Sequence, residues 1–188
     1  DLVEDKVTLS YFDQCSFEDK KGLKATYWNN PNREGEIVTN HQIVNPIKMT
    51  TAGQHEFASG VKLEGFSAVY ETEFVPKISE ELVFKGGATG FFALIVNNDT
   101  LINYNNWRTL SSRITLKVEA GKKYQIKILY TQLYNWQANI ELNFGKEVDV
   151  DYSDLINKLK DIDVVVFVGG LSGNLEGEEM PVSYTGFR

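Results

Sequence analysis

From residue 66 to residue 144 the chain alternates, segment after segment, between core-type and solvent-type side chains. Phe66, Ala68, Tyr70, Thr72 and Phe74 interleave with Ser67, Val69, Glu71 and Glu73. Ile114, Leu116 and Val118 interleave with Thr115, Lys117 and Glu119, and Tyr124, Ile126, Ile128 and Tyr130 with Gln125 and Lys127. Ile140, Leu142 and Phe144 alternate with Asn139, Glu141 and Asn143. Successive side chains of a strand point to opposite faces, so each segment offers one apolar and one polar face, as a half-buried antiparallel strand requires. Residues 91–96 are apolar at every position and read as a central strand. Asn97-Asn98-Asp99 then makes a tight turn into a strand over 100–104, and Ala120-Gly121-Lys122 reads as the turn of a further hairpin. Many short strands separated by turn signals predict an all-β fold, an antiparallel β-sandwich.

The pattern changes after about residue 148. Ser153 is placed to cap a helix whose apolar face is Leu155, Ile156 and Leu159. Val164-Val165-Val166-Phe167-Val168, bounded by Gly169-Gly170, reads as a strand buried on both faces, typical of a parallel sheet. One helix and one such strand cannot cover each other, so this tail is expected to be the helix–strand start of an α/β domain that continues elsewhere.

Composition narrows the function classes. The chain has 188 residues and a formal net charge of −7, which argues against nucleic-acid or anionic-membrane partners held by charge. No apolar run reaches the roughly 18 residues expected of a membrane-spanning helix. Cys15 is the sole cysteine, so no internal disulfide forms, and this alone leaves the compartment open. His41, His55 and Cys15 do not have metal-ligand spacing, and no nucleotide fingerprint or Ser-His-Asp context is present; neither a metal nor a cofactor is expected.

Several blocks carry a family resemblance. Gly22-Leu23-Lys24-Ala25-Thr26-Tyr27-Trp28-Asn29 resembles the opening strand of the domain named after anthrax protective antigen. Phe74-Val75-Pro76 before Glu81-Leu82-Val83-Phe84, the run from Gly90 to Asn97, and Val118-Glu119-Ala120-Gly121-Lys122-Lys123-Tyr124 fit further blocks of it in order. In the tail, Val168-Gly169-Gly170-Leu171-Ser172 followed by Leu175-Glu176-Gly177-Glu178-Glu179-Met180 resembles family 3 glycoside hydrolases, the β-glucosidase and β-xylosidase group, some of which carry such a sandwich as an insert in their α/β domain. These resemblances imply a division into a lead segment (1–21), a protective-antigen-type sandwich (22–147) and a fragment of the glycosidase α/β domain (148–188). They also imply an oligosaccharide or β-glycoside partner, a barrel and an α/β domain in the parent enzyme, and a periplasmic or secreted location.

Retaining glycoside hydrolysis uses two carboxyl groups about 5–5.5 Å apart, one attacking the anomeric carbon and the other serving as acid and then base. By resemblance the acid/base glutamate lies on a loop of the α/β domain and best matches Glu178, with Glu176 the alternative. No aspartate here stands in the nucleophile motif, so the chain alone is expected to be inactive; Asp149, Asp151 and Asp154 instead suit the helix N-terminus. Calcium-dependent sugar binding in some protective-antigen-type adhesins uses adjacent aspartates before the central strand; Ala88-Thr89 stand there in this chain.

Sugar contact is expected from aromatic loops that also hold amides and cations. Tyr134 and Trp136, in Gln132-Leu133-Tyr134-Asn135-Trp136-Gln137, and Trp107 with Arg108, in Tyr104-Asn105-Asn106-Trp107-Arg108, have this mixture. Trp28, inside a strand, is expected in the core. The leading expectation is an accessory domain that shapes glycan access in a β-glycosidase. A free-standing carbohydrate-binding or adhesion module, or a protein–protein contact module, is the alternative.

Overall fold

The computed structural model describes residues 6–52, 55–134, 137–160, 162 and 164. The strands are β1 (Lys6–Ser10), β2 (Cys15–Phe17), β3 (Lys20–Lys21), β4 (Leu23–Trp28), β5 (Thr39–Ile43), β6 (Ile47–Thr50), β7 (Ser67–Phe74), β8 (Glu80–Ala88), β9 (Gly90–Val96), β10 (Asp99–Asn106), β11 (Ser112–Val118), β12 (Tyr124–Thr131) and β13 (Asn139–Asp149). Among the described residues one α-helix follows, α1 (Ser153–Leu159). The strands form two antiparallel sheets. The five-stranded sheet runs β1-β13-β8-β11, with β6 also on β13; the eight-stranded one runs β10-β9-β12-β7-β2-β3, with β4 on β7 and β5 on β4. The fold is thus the antiparallel sandwich that the alternation predicts. Two compact units are present, Asp1–Val150 and Asp151–Arg188.

The inward positions are those read from the sequence. Tyr70 and Phe74 of β7, Tyr124, Ile126, Ile128 and Tyr130 of β12, and Ile140, Leu142 and Phe144 of β13 are all buried. Rings fill the space between the sheets. Phe144 stacks on Phe84 at 5.1 Å and meets Phe74 edge-on at 5.6 Å, distances at which ring pairs add to the gain from burial alone. Residues 91–96 lie in β9, held between β10 and β12. Asn97 and Asn98 have φ of 50° and 71°, the left-handed pair that a two-residue hairpin turn demands and that asparagine tolerates. The Asn97 Oδ1 accepts the Gln125 N–H at 2.8 Å, fixing the turn to the neighbouring strand.

Some expectations need correction. Ala120-Gly121-Lys122 does not close a hairpin: β11 pairs with β8 in one sheet, and β12 with β7 and β9 in the other. The turn crosses between sheets. It is held there by Gly121 N–H to the Pro76 carbonyl at 2.8 Å and Ala120 N–H to Ser79 Oγ at 2.9 Å, on the segment that makes the neighbouring crossing from β7 to β8. Residues 6–21, expected in a lead segment, supply β1, β2 and β3, and Phe12 and Cys15 are core residues. Burial pushes the Cys15 thiol up to about 12. Trp28 is only half-buried at the end of β4, because Tyr27 takes the inward position. Ser153 is the first residue of α1 rather than its cap; its N–H donates to Asp151 Oδ1 at 2.9 Å, and this bonding holds the Asp151 carboxyl below its ordinary value. Of the strand expected over 164–168 only Val164 is described, and it is exposed outside any strand.

Candidate functional site

Strand register gathers the aromatic loops at one end of the sandwich. Thr131, the last residue of β12, pairs with Ser67 at the start of β7 and with Phe91 at the start of β9. Asn105 near the end of β10 pairs with Phe91, and Trp28 at the end of β4 pairs with Ser67. The loops at 29–38, 51–66, 107–111 and 132–138 therefore all leave or enter the eight-stranded sheet at that end. Loops on a rigid sheet end can vary while their bases stay fixed, which is why binding concentrates there.

Tyr104 sets the 107–111 loop. Its ring stacks on Phe92 at 5.6 Å. Its hydroxyl accepts the Ala88 N–H at 2.7 Å and donates to the Leu110 carbonyl at 2.8 Å. Asn106 Oδ1 accepts the Arg108 N–H at 2.9 Å, an Asx turn that projects the next side chains outward. Trp107 is 52% exposed, and the Arg108 guanidinium lies over its ring at 4.1 Å. Tyr134 reaches β10 from the other loop, its hydroxyl donating to Asn105 Oδ1 at 3.4 Å. The structure thus brings Trp107, Arg108 and Tyr134 to the same end. Trp136, Glu176 and Glu178 lie outside the described residues. A shallow groove of about 420 Å³ beside Tyr134 is lined by Asn29, Lys62, Glu64, Gly65 and Leu133 as well.

Ala88 and Thr89, at the place of the adhesin aspartates, are buried. The Thr89 N–H donates to the Asn139 carbonyl at 2.8 Å, and its hydroxyl bonds to Thr109 at 3.0 Å. These polar groups anchor loops and offer no carboxylate to a cation. Among the described residues no group of three or more His, Cys, Asp or Glu could hold a metal ion.

Sequence reasoning missed the 29–36 arch. Asn30 Oδ1 accepts the N–H groups of Asn32 and Glu34 at 3.0 and 3.2 Å, and its Nδ2 donates to the Glu34 carbonyl at 2.7 Å. Asn29 ties the arch to the 51–66 loop, with Oδ1 accepting the Lys62 N–H at 2.8 Å and Nδ2 donating to the Gly60 carbonyl at 3.0 Å. Ser67 Oγ donates to the Asn30 carbonyl at 2.7 Å. The arch so pinned carries Arg33 across the end of the sheet: Nη2 donates to Thr131 Oγ1 at 2.6 Å, and the guanidinium lies over the Phe91 ring at 5.7 Å. Burial lowers the pKa of this guanidinium. The run Asn29-Asn30-Pro31-Asn32-Arg33, turn-forming residues after an aromatic strand end, was the available signal.

A larger groove, about 530 Å³, lies on the outer face of the five-stranded sheet beside Lys48, Lys85, Arg113 and Glu141. It is a weaker candidate, because Lys85 and Arg113 are both already engaged by Glu147, at 3.0 and 2.7 Å.

The PA14 domain model matches residues 19–157. A xylan 1,4-beta-xylosidase of Xylanibacter ruminicola is 39% identical over 190 residues, a match that covers 100% of this chain and 22% of that relative. The chain thus spans under a quarter of the relative's length. Among solved structures, a β-glucosidase from Kluyveromyces marxianus in complex with glucose aligns with a TM-score of 0.57 at 15% identity, over 76% of this chain and 19% of that one. The GH31 α-xylosidase of Xanthomonas citri aligns with a TM-score of 0.56 at 11% identity, over 73% and 16%. At such identities the two likenesses speak for the fold alone.

Proposed function

This chain belongs to the PA14 domain family, and from that premise we propose that it is an accessory sandwich of the protective-antigen type carried by a family 3 β-glycosidase of the β-xylosidase or β-glucosidase group. In this reading the loop end with Trp107, Arg108 and Tyr134, together with Trp136, shapes glycan access to the active site. The observation that carries the reading is the whole-length match to a xylosidase. The fold supports insertion: β1 and the end of β13 pair antiparallel, Lys6 opposite Asp149, so the incoming and outgoing strands lie side by side. A sandwich built this way fits into a single loop of a host domain without disturbing it. In the parent, the residues after the sandwich, 151–188, belong to the α/β domain, Glu178 (or Glu176) is the acid/base, and a barrel domain supplies the nucleophile. The parent is periplasmic or secreted.

The test uses the longer enzyme. Trp107→Ala raises KM for oligosaccharides more than for a monosaccharide aryl glycoside, the mark of binding lost at remote subsites. Equal effects on both substrates with a lowered melting temperature refute the loop-end role. Glu178→Ala depresses turnover of substrates with poor leaving groups, and azide partly restores the activated ones. If Glu176→Ala behaves so instead, the register is off by two residues.

A further inference from the structure

Arg33 is costly as it stands. Its backbone is left-handed, φ 62°, which disfavours a non-glycine residue. Its Nε is buried without a hydrogen-bond partner among the described residues. Among the described residues no carboxylate lies within ion-pair distance of the guanidinium, although Glu34 and Glu36 stand close in the chain and the protein carries a net charge of −7. The remaining cations of the same sheet end, Lys62 and Arg108, are exposed. A half-buried cation without an anion is destabilising unless something else supplies the counter-charge. The arch nevertheless spends the bonds of Asn29 and Asn30 on holding it in place.

We propose that Arg33 is the anchor for a carboxylate-bearing saccharide, a uronic acid residue, at the loop end of the sandwich. This rests on the reading of that end as glycan-facing and names the kind of glycan. A guanidinium offers five N–H donors in a planar fork that matches a carboxylate in two parallel bonds. Among the described residues one of its nitrogens is committed, to Thr131. The guanidinium covers Phe91, half-buried Trp28 in the same cross-strand row supplies apolar surface for the C–H face of a sugar ring, and Asn105 and Tyr134 stand by that row as hydrogen-bonding groups. A neutral sugar would leave the half-buried charge without a counter-charge, so the site discriminates by charge first.

The experiment is a pair of NMR titrations of the whole chain, with methyl β-D-glucuronide and with methyl β-D-glucoside, which differ only in a carboxylate for a hydroxymethyl group at C6. The glucuronide should shift amides of the 29–36 arch and of Ser67, Phe91 and Thr131, with Kd lower by about tenfold, the gain of a charge-assisted over a neutral hydrogen bond. Added salt should narrow that preference. Arg33→Gln should abolish it, and Arg33→Lys, which keeps the charge but not the fork, should retain part. Both replacements meet the same backbone φ as arginine, and an unchanged amide fingerprint outside the arch checks the fold. Equal binding of both sugars, or a preference that survives Arg33→Gln, overturns the carboxylate assignment and leaves the glycan-facing reading standing. Absence of shifts from either sugar and from a neutral β-linked oligosaccharide overturns both.

Discussion

Gly90→Ala tests the contact on which the loop end rests. Gly90 opens β9 with φ +99°, and a Cβ there would stand 2.3 Å from the Thr131 carbonyl oxygen. Two costs add. Positive φ disfavours an L side chain by about 1–2 kcal/mol. The clash is with backbone, which no rotamer change relieves, so β9 and the end of β12 must separate and weaken the last ladder hydrogen bond, about 1 kcal/mol more. The expected loss is about 3 kcal/mol, or roughly 6–12 °C in Tm for a domain of this size. Gly121→Ala is the control. Gly121 also has positive φ, +75°, but open space around the added Cβ, so only the conformational cost applies, about 1–2 kcal/mol. Gly121→Asn should be nearly neutral, since asparagine visits this region readily. Urea unfolding followed by tryptophan fluorescence at constant m measures all three. If Gly90→Ala costs no more than Gly121→Ala, the close approach of β9 to β12 is wrong, and with it the packing of the loop end.

Phe144→Ala should cost about 3–5 kcal/mol, since the ring is buried against Phe12, Phe74 and Phe84 and leaves a cavity between the sheets; a loss under 1 kcal/mol in urea unfolding would contradict this packing. Arg113 and Lys85 hold the Glu147 carboxyl down at about 2, against an ordinary 4.5. A depressed carboxyl contributes stability that is whole above the ordinary value and fades as pH falls toward the folded one. The Tm should therefore drop between about pH 4.5 and pH 2 more steeply in the native chain than in Glu147→Gln; parallel profiles would refute the linkage. Cys15, buried and with its thiol pushed up to about 12, should resist a thiol-specific disulfide reagent at pH 8 and react on unfolding in urea; prompt reaction of the native chain would place it at the surface.

The face that each strand buries was legible, because alternation fixes it residue by residue, as in Tyr124, Ile126, Ile128 and Tyr130. Strand partners were not. Ala120-Gly121-Lys122 has the composition of a hairpin turn, yet the strands on either side pair in different sheets, since tertiary packing rather than turn chemistry decides where a chain crosses. The part played by residues 6–21 was hidden for a related reason: β2 and β3 are short, and β1 gains its meaning from pairing with β13, far away in the chain. At the site, composition pointed to Trp107, Arg108 and Tyr134, and register alone shows that they share an end with Thr131 and Phe91. Arg33 was illegible for a different reason. In sequence it is one exposed-type residue in a polar loop, and what distinguishes it, partial burial without a counter-ion among the described residues, exists only once the arch folds back over the sheet.

Thr131 joins scaffold and site in one residue. Its carbonyl is the group that Gly90 approaches, its hydroxyl receives Arg33, and its position as the end of β12 sets where the 132–138 loop departs. The tight approach therefore serves more than stability, because it fixes the distance between Phe91, which underlies the guanidinium, and the hydroxyl that orients it. A guanidinium holds two parallel bonds to a carboxylate only within a narrow geometry. Spreading β9 from β12 should then weaken the carboxylate preference even when the chain remains folded, and Gly90→Ala at a temperature well below its lowered Tm separates the two effects. Loss of glucuronide preference with an intact fold would tie recognition to the strand spacing. Full preference in a folded but destabilised Gly90→Ala would show that the arch positions Arg33 by its own hydrogen bonds and that the sheet end is only its support.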